Sequence, residues 1–148
     1  MMPLHAKPHR DAARSGERIY ITHCSGEKDD SLKGAGREVT PDDLYRSARF
    51  RAFARACREA GVTWAVLSDL HGIWFADERR GWYEKAPEAV TETDFRALVE
   101  SFDTRLAGFD KVLFYHEPGR LHDLYRRVVE ASDLRDRVEF FTDTSMIG

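Results

Sequence analysis

The chain has 148 residues, 42% hydrophobic and 33% charged, with 23 Lys plus Arg against 26 Asp plus Glu and a formal net charge of -3. A chain of this length buries roughly two-thirds of its unfolded surface, so the composition indicates one compact domain and excludes global disorder. The near-balance of charge excludes a protein that holds nucleic acid mainly by bulk positive charge, while leaving room for a local basic strip.

Residues 1–17 are polar, contain Pro3 and Pro8, and have no period, which predicts a flexible N-terminal arm ahead of a single α/β domain over residues 18–148. They lack the apolar centre of a signal peptide, and no apolar run approaches the ~20 residues that span a bilayer. The expected location is therefore cytoplasmic, with no membrane partner. Cys24 and Cys57 are too few for a disulfide framework or a Cys-rich zinc site.

The segment Arg18–His23 is a short β-rich run that stops at the turn signal Cys24-Ser25-Gly26. Thr40-Pro41-Asp42-Asp43 then opens a helix, with Thr40 as N-cap, Pro41 in the first turn and acids behind it. Leu44, Phe50, Phe53, Ala54 and Cys57 fall near one face, and Gly61 ends the helix. Residues 62–68 form a second strand, nearly continuous in apolar character, as suits a strand covered on both faces.

Residues 69–90 are long for a connection and carry Trp74, Phe75, Trp82 and Tyr83, which predicts an ordered aromatic loop. Thr91-Glu92-Thr93-Asp94 caps the next helix, which turns Phe95, Leu98, Val99, Phe102 and Leu106 inward. Residues 111–115 form a third strand. A helix bearing Leu121, Leu124, Tyr125, Val128 and Val129 follows to about Leu134, and residues 138–142 form a fourth strand. The order β-α-β-α-β-α-β predicts a three-layer α/β/α sandwich around a mainly parallel four-stranded sheet.

In such a sheet the ligand crevice lies beyond the carboxyl ends of the strands. Those ends deliver His23, Cys24, Ser25 and Lys28 from the first strand, and Ser68, Asp69, His71, Gly72 and Trp74 from the second. The third delivers Tyr115, His116, Glu117 and Arg120, and the fourth Thr142, Asp143 and Thr144. Charge is nearly absent from the strand interiors and collects at these ends, which makes them the candidate site.

Each residue also has a plainer reading. Free cysteine is among the most buried residue types, yet Lys28 beside Cys24 can lower a thiol pKa or pair with a phosphate. His71 can bridge loop to sheet or act as a general acid/base, with Trp74 as a stacking wall. Glu117 can complement the positive end of the following helix or act as a general base. His23, His71, His116 and His122 lack any recognised metal-ligand spacing. No phosphate-binding or dinucleotide-binding glycine motif and no Gly-x-Ser-x-Gly elbow is present, so no cofactor and no metal are expected.

The segments His23-Cys24-Ser25-Gly26-Glu27-Lys28, Asp43-Leu44-Tyr45-Arg46-Ser47-Ala48-Arg49-Phe50 and Trp64-Ala65-Val66-Leu67-Ser68-Asp69-Leu70-His71-Gly72-Ile73 resemble the YaaA-like family. They are closest to a small branch patterned Cys-Ser/Gly-x-x-Lys, Asp-Leu-Tyr-x-Ser-x-x-Phe and Trp-x-Ile/Val-Leu-Ser-Ala/Asp-x-His/Tyr-Gly-Leu/Ile. The first motif is also similar to the Cys-Ser-x-x-Lys segment of archaeosine synthase, which acts on a deazaguanine base in tRNA. The resemblance covers about residues 18–85. It implies a pocket built from the first two strand ends and lined by Cys24, Ser25, Lys28, Tyr45, Ser47, Ser68, His71 and Gly72, with nucleobase-linked chemistry.

Three functions are open at this level. One is a small enzyme acting on a nucleobase, nucleoside or nucleic-acid-linked heterocycle. In it Lys28 or Cys24 is the nucleophile or anion anchor, His71 or Glu117 the proton carrier, and Asp69, His116 and Arg120 complete the crevice. The second is a non-catalytic nucleotide or nucleic-acid binding module that uses Arg46, Arg49, Arg51 and Arg55. The third is a homodimer anchored by Trp74, Trp82 and Tyr83.

Overall fold

The computed structural model describes residues 17–148, so the arm expected over residues 1–17 lies outside the described residues except for Glu17. The apolar-rich runs form strands where expected: β1 (Arg18–His23), β3 (Trp64–Ser68), β6 (Lys111–Tyr115) and β7 (Val138–Phe141). These four pair in parallel, in the order β3-β1-β6-β7. Two further short strands, β2 (Glu38–Val39) and β5 (Arg80–Gly81), make a small antiparallel ribbon of their own.

The sheet has five strands rather than the expected four. Residues Gly72–Phe75 form β4, an edge strand antiparallel to β3, with Ser68 opposite Gly72 and Ala65 opposite Phe75. The segment expected to be one long loop therefore begins with a hairpin. Ser68 Oγ accepts the amide protons of Leu70 and His71 at 3.1 and 3.0 Å and folds the turn. Trp74 is completely buried, so the aromatic residues at the start of this segment belong to the core and not to a partner-facing loop.

The β3–β4 turn depends on Gly72. Its φ is +70°, and a Cβ there would lie 2.5 Å from Ser101 Oγ and 2.6 Å from Ser101 Cβ. Ser101 cannot yield freely, because its hydroxyl accepts the Ile73 amide proton at 3.0 Å. Left-handed strain and overpacking act together, so Gly72→Ala should destabilise the fold by about 2–5 kcal/mol, read from the urea midpoint.

The helix expected over residues 40–61 is two helices: α1 (Pro41–Leu44) and α2 (Ala48–Ala60). The chain leaves the helical path at Tyr45, which is extended (φ -88°, ψ 130°) and bridges Lys28. Ser47 restarts it by accepting the Phe50 amide proton on its hydroxyl at 3.2 Å, so Ser47 is a helix cap and not a pocket wall. Gly61 ends α2 at φ +68°. Helix α2 lays Phe50 and Phe53 against Trp64, and Phe53 stacks on Tyr115 at 5.7 Å.

Helix α3 (Glu92–Arg105) starts at a capping box between Thr91 and Asp94 and packs on β4 through a buried face that includes Leu98 and Phe102. Helix α4 (Asp123–Ala131) buries Leu124, Tyr125, Val128 and Val129 and contacts α3. Among the described residues no helix is long and apolar enough to cross a membrane. From β1 the chain passes to β3 on one side and later to β6 on the other. The carboxyl ends of these central strands thus form the switch point at which open α/β sheets bind ligands.

Candidate functional site

The loop leaving β1 is held in place by main-chain hydrogen bonds. The Cys24 amide donates to Leu67 O at 3.0 Å, Arg46 N to Glu27 O at 2.7 Å, and Asp29 N to Leu44 O at 2.8 Å. With the Lys28–Tyr45 bridge, these bonds tie residues 24–29 to the end of β3 and to the joint between α1 and α2. Arg49 adds a side-chain brace, donating to Thr22 Oγ1 at 2.8 Å and to the Cys24 carbonyl at 3.2 Å.

This loop forms one wall of a cavity of about 250 Å³. His23, Cys24 and Lys28 come from β1 and its loop, Asp69 from the end of β3, and His122 and Tyr125 from the start of α4. Lys85, Ala86 and Pro87 close it from the segment ahead of α3. A second cavity of about 530 Å³, called the outer one, adjoins this first or inner one, sharing Gly26, Lys28, Lys85 and Ala86 and adding Asp30, Lys33, Trp82, Tyr83 and Glu84.

The inner cavity is built around polar groups withdrawn from water. His23 stacks on Tyr125 with ring centroids 5.1 Å apart. Its Nδ1 lies 3.0 Å from the Cys24 carbonyl, a contact that requires an N–H, so the neutral ring carries its proton on Nδ1. That leaves Nε2 as a lone pair, and it is buried with no hydrogen-bond partner. Burial, reinforced by the Arg49 charge, lowers the His23 pKa to about 3, so the ring is neutral at physiological pH. Asp69 is only 3% exposed, its Oδ1 also lacks a partner, and burial raises its pKa.

Cys24 lies between these groups. Its Sγ is 3.1 Å from the Tyr125 hydroxyl and accepts the Asp69 amide proton at 3.4 Å. Burial, then the nearby Asp69 charge, pushes the thiol up to about 11. At neutral pH the sulfur is protonated, which makes it a packing and hydrogen-bonding group rather than a ready thiolate nucleophile. Behind it, the Tyr45 and Tyr83 hydroxyls are 2.6 Å apart, and Ser68 Oγ donates to Tyr83 at 3.1 Å. Lys28 Nζ rests 4.6 Å from the centre of the Tyr83 ring.

The residues expected at the site thus divide into groups. Cys24, Ser25, Lys28 and Asp69 come together on the inner cavity. Tyr45 and Ser68 are fully buried behind it and act through Tyr83. His71 packs edge-on against Trp74 and Tyr83, outside the lining of both cavities, and burial lowers its pKa to about 4. Trp74 donates its indole N–H to Glu78 O at 2.7 Å from within the core and offers no stacking wall to a ligand. Gly72 serves the β3–β4 turn. Glu117 and Arg120 are exposed, and His116 holds the Glu117 carbonyl at 2.8 Å; none of the three lines either cavity.

Tyr125, Lys85 and the lone pair of His23 were not singled out by sequence reasoning. Tyr125 lies on the apolar stripe of α4, where its period marks it as core, and nothing in that period shows its phenol reaching back to Cys24. Among the described residues no group of three His, Cys, Asp or Glu side chains is placed to hold a metal ion. No protein-family model, curated protein or solved structure matches the chain.

Proposed function

We propose that the chain is a small enzyme acting on a nucleobase, nucleoside or related heterocycle bound in the inner cavity. One observation carries this reading: two buried acceptors, His23 Nε2 and Asp69 Oδ1, both lack a protein partner and both belong to residues lining one cavity. Leaving two such atoms unmatched costs about 1–3 kcal/mol each, and a ligand that brings N–H donors removes that penalty. An amino-substituted planar ring has such donors and has faces that suit the aromatic wall of His23 and Tyr125. The resemblance of the Cys24-Ser25-x-x-Lys28 segment to that of archaeosine synthase, which acts on a deazaguanine base, points to the same class.

In this reading Asp69 is the acid/base group, since its raised pKa brings it closer to the working range of a proton carrier. Lys28 is the anion anchor, and Tyr83 positions it from below. Cys24 and Tyr125 orient Asp69 and exclude water. A second reading, a non-catalytic binding module, is favoured by the protonated state of the Cys24 thiol, because no activated nucleophile accompanies Asp69.

Thermal denaturation with a panel of free bases and nucleosides tests the class. A ligand present at 100 times its Kd should raise the melting temperature by roughly 5–10 °C. A panel that leaves the melting temperature unchanged at millimolar concentration overturns the reading. Turnover of the ligand that binds, followed by chromatography, then separates enzyme from binding module.

A further inference from the structure

We propose that the ligand carries a single phosphate, seated in the outer cavity by Lys28 and Lys33, so that the site takes a nucleoside monophosphate in preference to a free nucleoside or a polynucleotide. This rests on the reading of the inner cavity as a base site. The two cavities adjoin through Lys28 and Gly26, so a ring in the inner one directs its substituents into the outer one.

Two of the outer cavity's cations, Lys28 and Lys33, are positioned without a direct carboxylate partner, although the Lys28 charge also acts on Asp69. Lys28 Nζ lies 4.6 Å from the Tyr83 ring centre, and Lys33 Nζ lies 5.1 Å from that of Trp82. Ring faces orient an ammonium group and leave its charge available. Lys85, by contrast, is committed to Asp94 at 2.8 Å. Among the described residues neither Lys28 nor Lys33 forms an ion pair with a carboxylate, although two acids share the cavity with them. Two unpaired ammonium groups match the charge of about -2 on one phosphate monoester.

Asp30 and Glu84 set the limit. They line the same cavity, and once the two lysines are engaged by one phosphate their charges oppose a second. A polynucleotide would bring further phosphates against both, whereas a monophosphate brings only one.

Calorimetric titration of the full chain at low ionic strength tests this, with four nucleosides, their 5′-monophosphates, ribose 5-phosphate and a short single-stranded oligonucleotide. The best monophosphate should bind about tenfold or more tighter than its nucleoside, with an advantage that shrinks as salt is added. Lys33 is exposed, so Lys33→Met should leave the fold and the nucleoside Kd unchanged while removing most of the phosphate advantage. Equal affinity for nucleoside and monophosphate, or a phosphate advantage that survives Lys33→Met, overturns the inference and leaves the base site standing. Tighter binding of the oligonucleotide than of any monophosphate overturns it in favour of a strand. Binding of ribose 5-phosphate without binding of any nucleoside keeps the phosphate seat and removes the base site. If nothing binds, both fall.

Discussion

Replacing Asp69 with Asn should weaken ligand binding by about tenfold or more while making the folded protein more stable at neutral pH. Asp69 is 3% exposed and its carboxyl pKa is raised, chiefly by burial. A carboxyl that holds its proton more tightly in the folded state than in the unfolded chain weakens folding once the pH exceeds its ordinary value of 3.8. The loss grows as the pH climbs through the raised folded pKa and then levels off. An amide of the same shape does not ionise, so Asp69→Asn should gain about 1 kcal/mol, or roughly 2–4 °C in melting temperature, at pH 7. The gain should disappear below pH 3.8, where wild type is protonated in both states.

Binding should move the other way. Exchange of a buried acceptor for an N–H donor sets donor against donor with an amino-bearing ring, a mismatch that weakens affinity by about tenfold to a hundredfold. Stability gained together with affinity lost is the signature of a residue kept for its chemistry. A variant that is both less stable and fully competent to bind would show Asp69 to be structural.

The second large effect is acid sensitivity above the usual carboxylate range. Burial lowers the pKa of His23 to about 3 and that of His71 to about 4, from an ordinary 6.5, with Arg49 and Arg80 adding repulsion. Both rings are neutral in the folded chain and take up protons on unfolding. Their contribution is therefore intact above pH 6.5 and falls as the pH drops toward those lowered values.

Each ring then removes about 1.4 kcal/mol per pH unit below 6.5, so the pair should cost about 5 kcal/mol by pH 4.5, a large part of an ordinary domain's 5–15 kcal/mol. Asp69 works in the opposite direction over part of the same range, and the lowered pKa values of Asp94 and Asp143 add to the loss only at more acid pH. Urea midpoints measured from pH 7.5 to pH 4.5 check this. The slope should halve in His71→Gln, and a flat wild-type profile down to pH 5 would contradict it.

The strand positions were legible because apolar-rich runs with polar ends leave few alternatives: β1 and β6 fall on the expected residues. Strand β4 was not. Gly72–Phe75 is four residues long and follows β3 after a three-residue turn, so its aromatics read as loop content until the hairpin closes on them. The joint at Tyr45 was hidden for a related reason. The apolar period runs on across it, and only the tertiary pull of the Lys28 bridge breaks the helix.

In the site, Cys24, Lys28 and Asp69 could be placed because strand ends meet at a crevice. The partition between His23 and His71 could not. Both sit near a strand end in sequence, and side-chain direction decides that one lines the cavity while the other packs against Trp74. The same limit hid Tyr125, whose ring is core and whose hydroxyl is site.

The main-chain bonds that bind residues 24–29 to Leu67, Leu44 and Arg46 affect how quickly complexes come apart. A floppy loop would spend part of its interaction energy on being ordered, at about 1–2 kcal/mol for every backbone residue fixed. Here folding has already met that charge, so each contact made to a ligand counts in full. Substitutions that loosen these ties should therefore shorten residence time far more than they slow arrival, even where the replaced residue never touches the ligand.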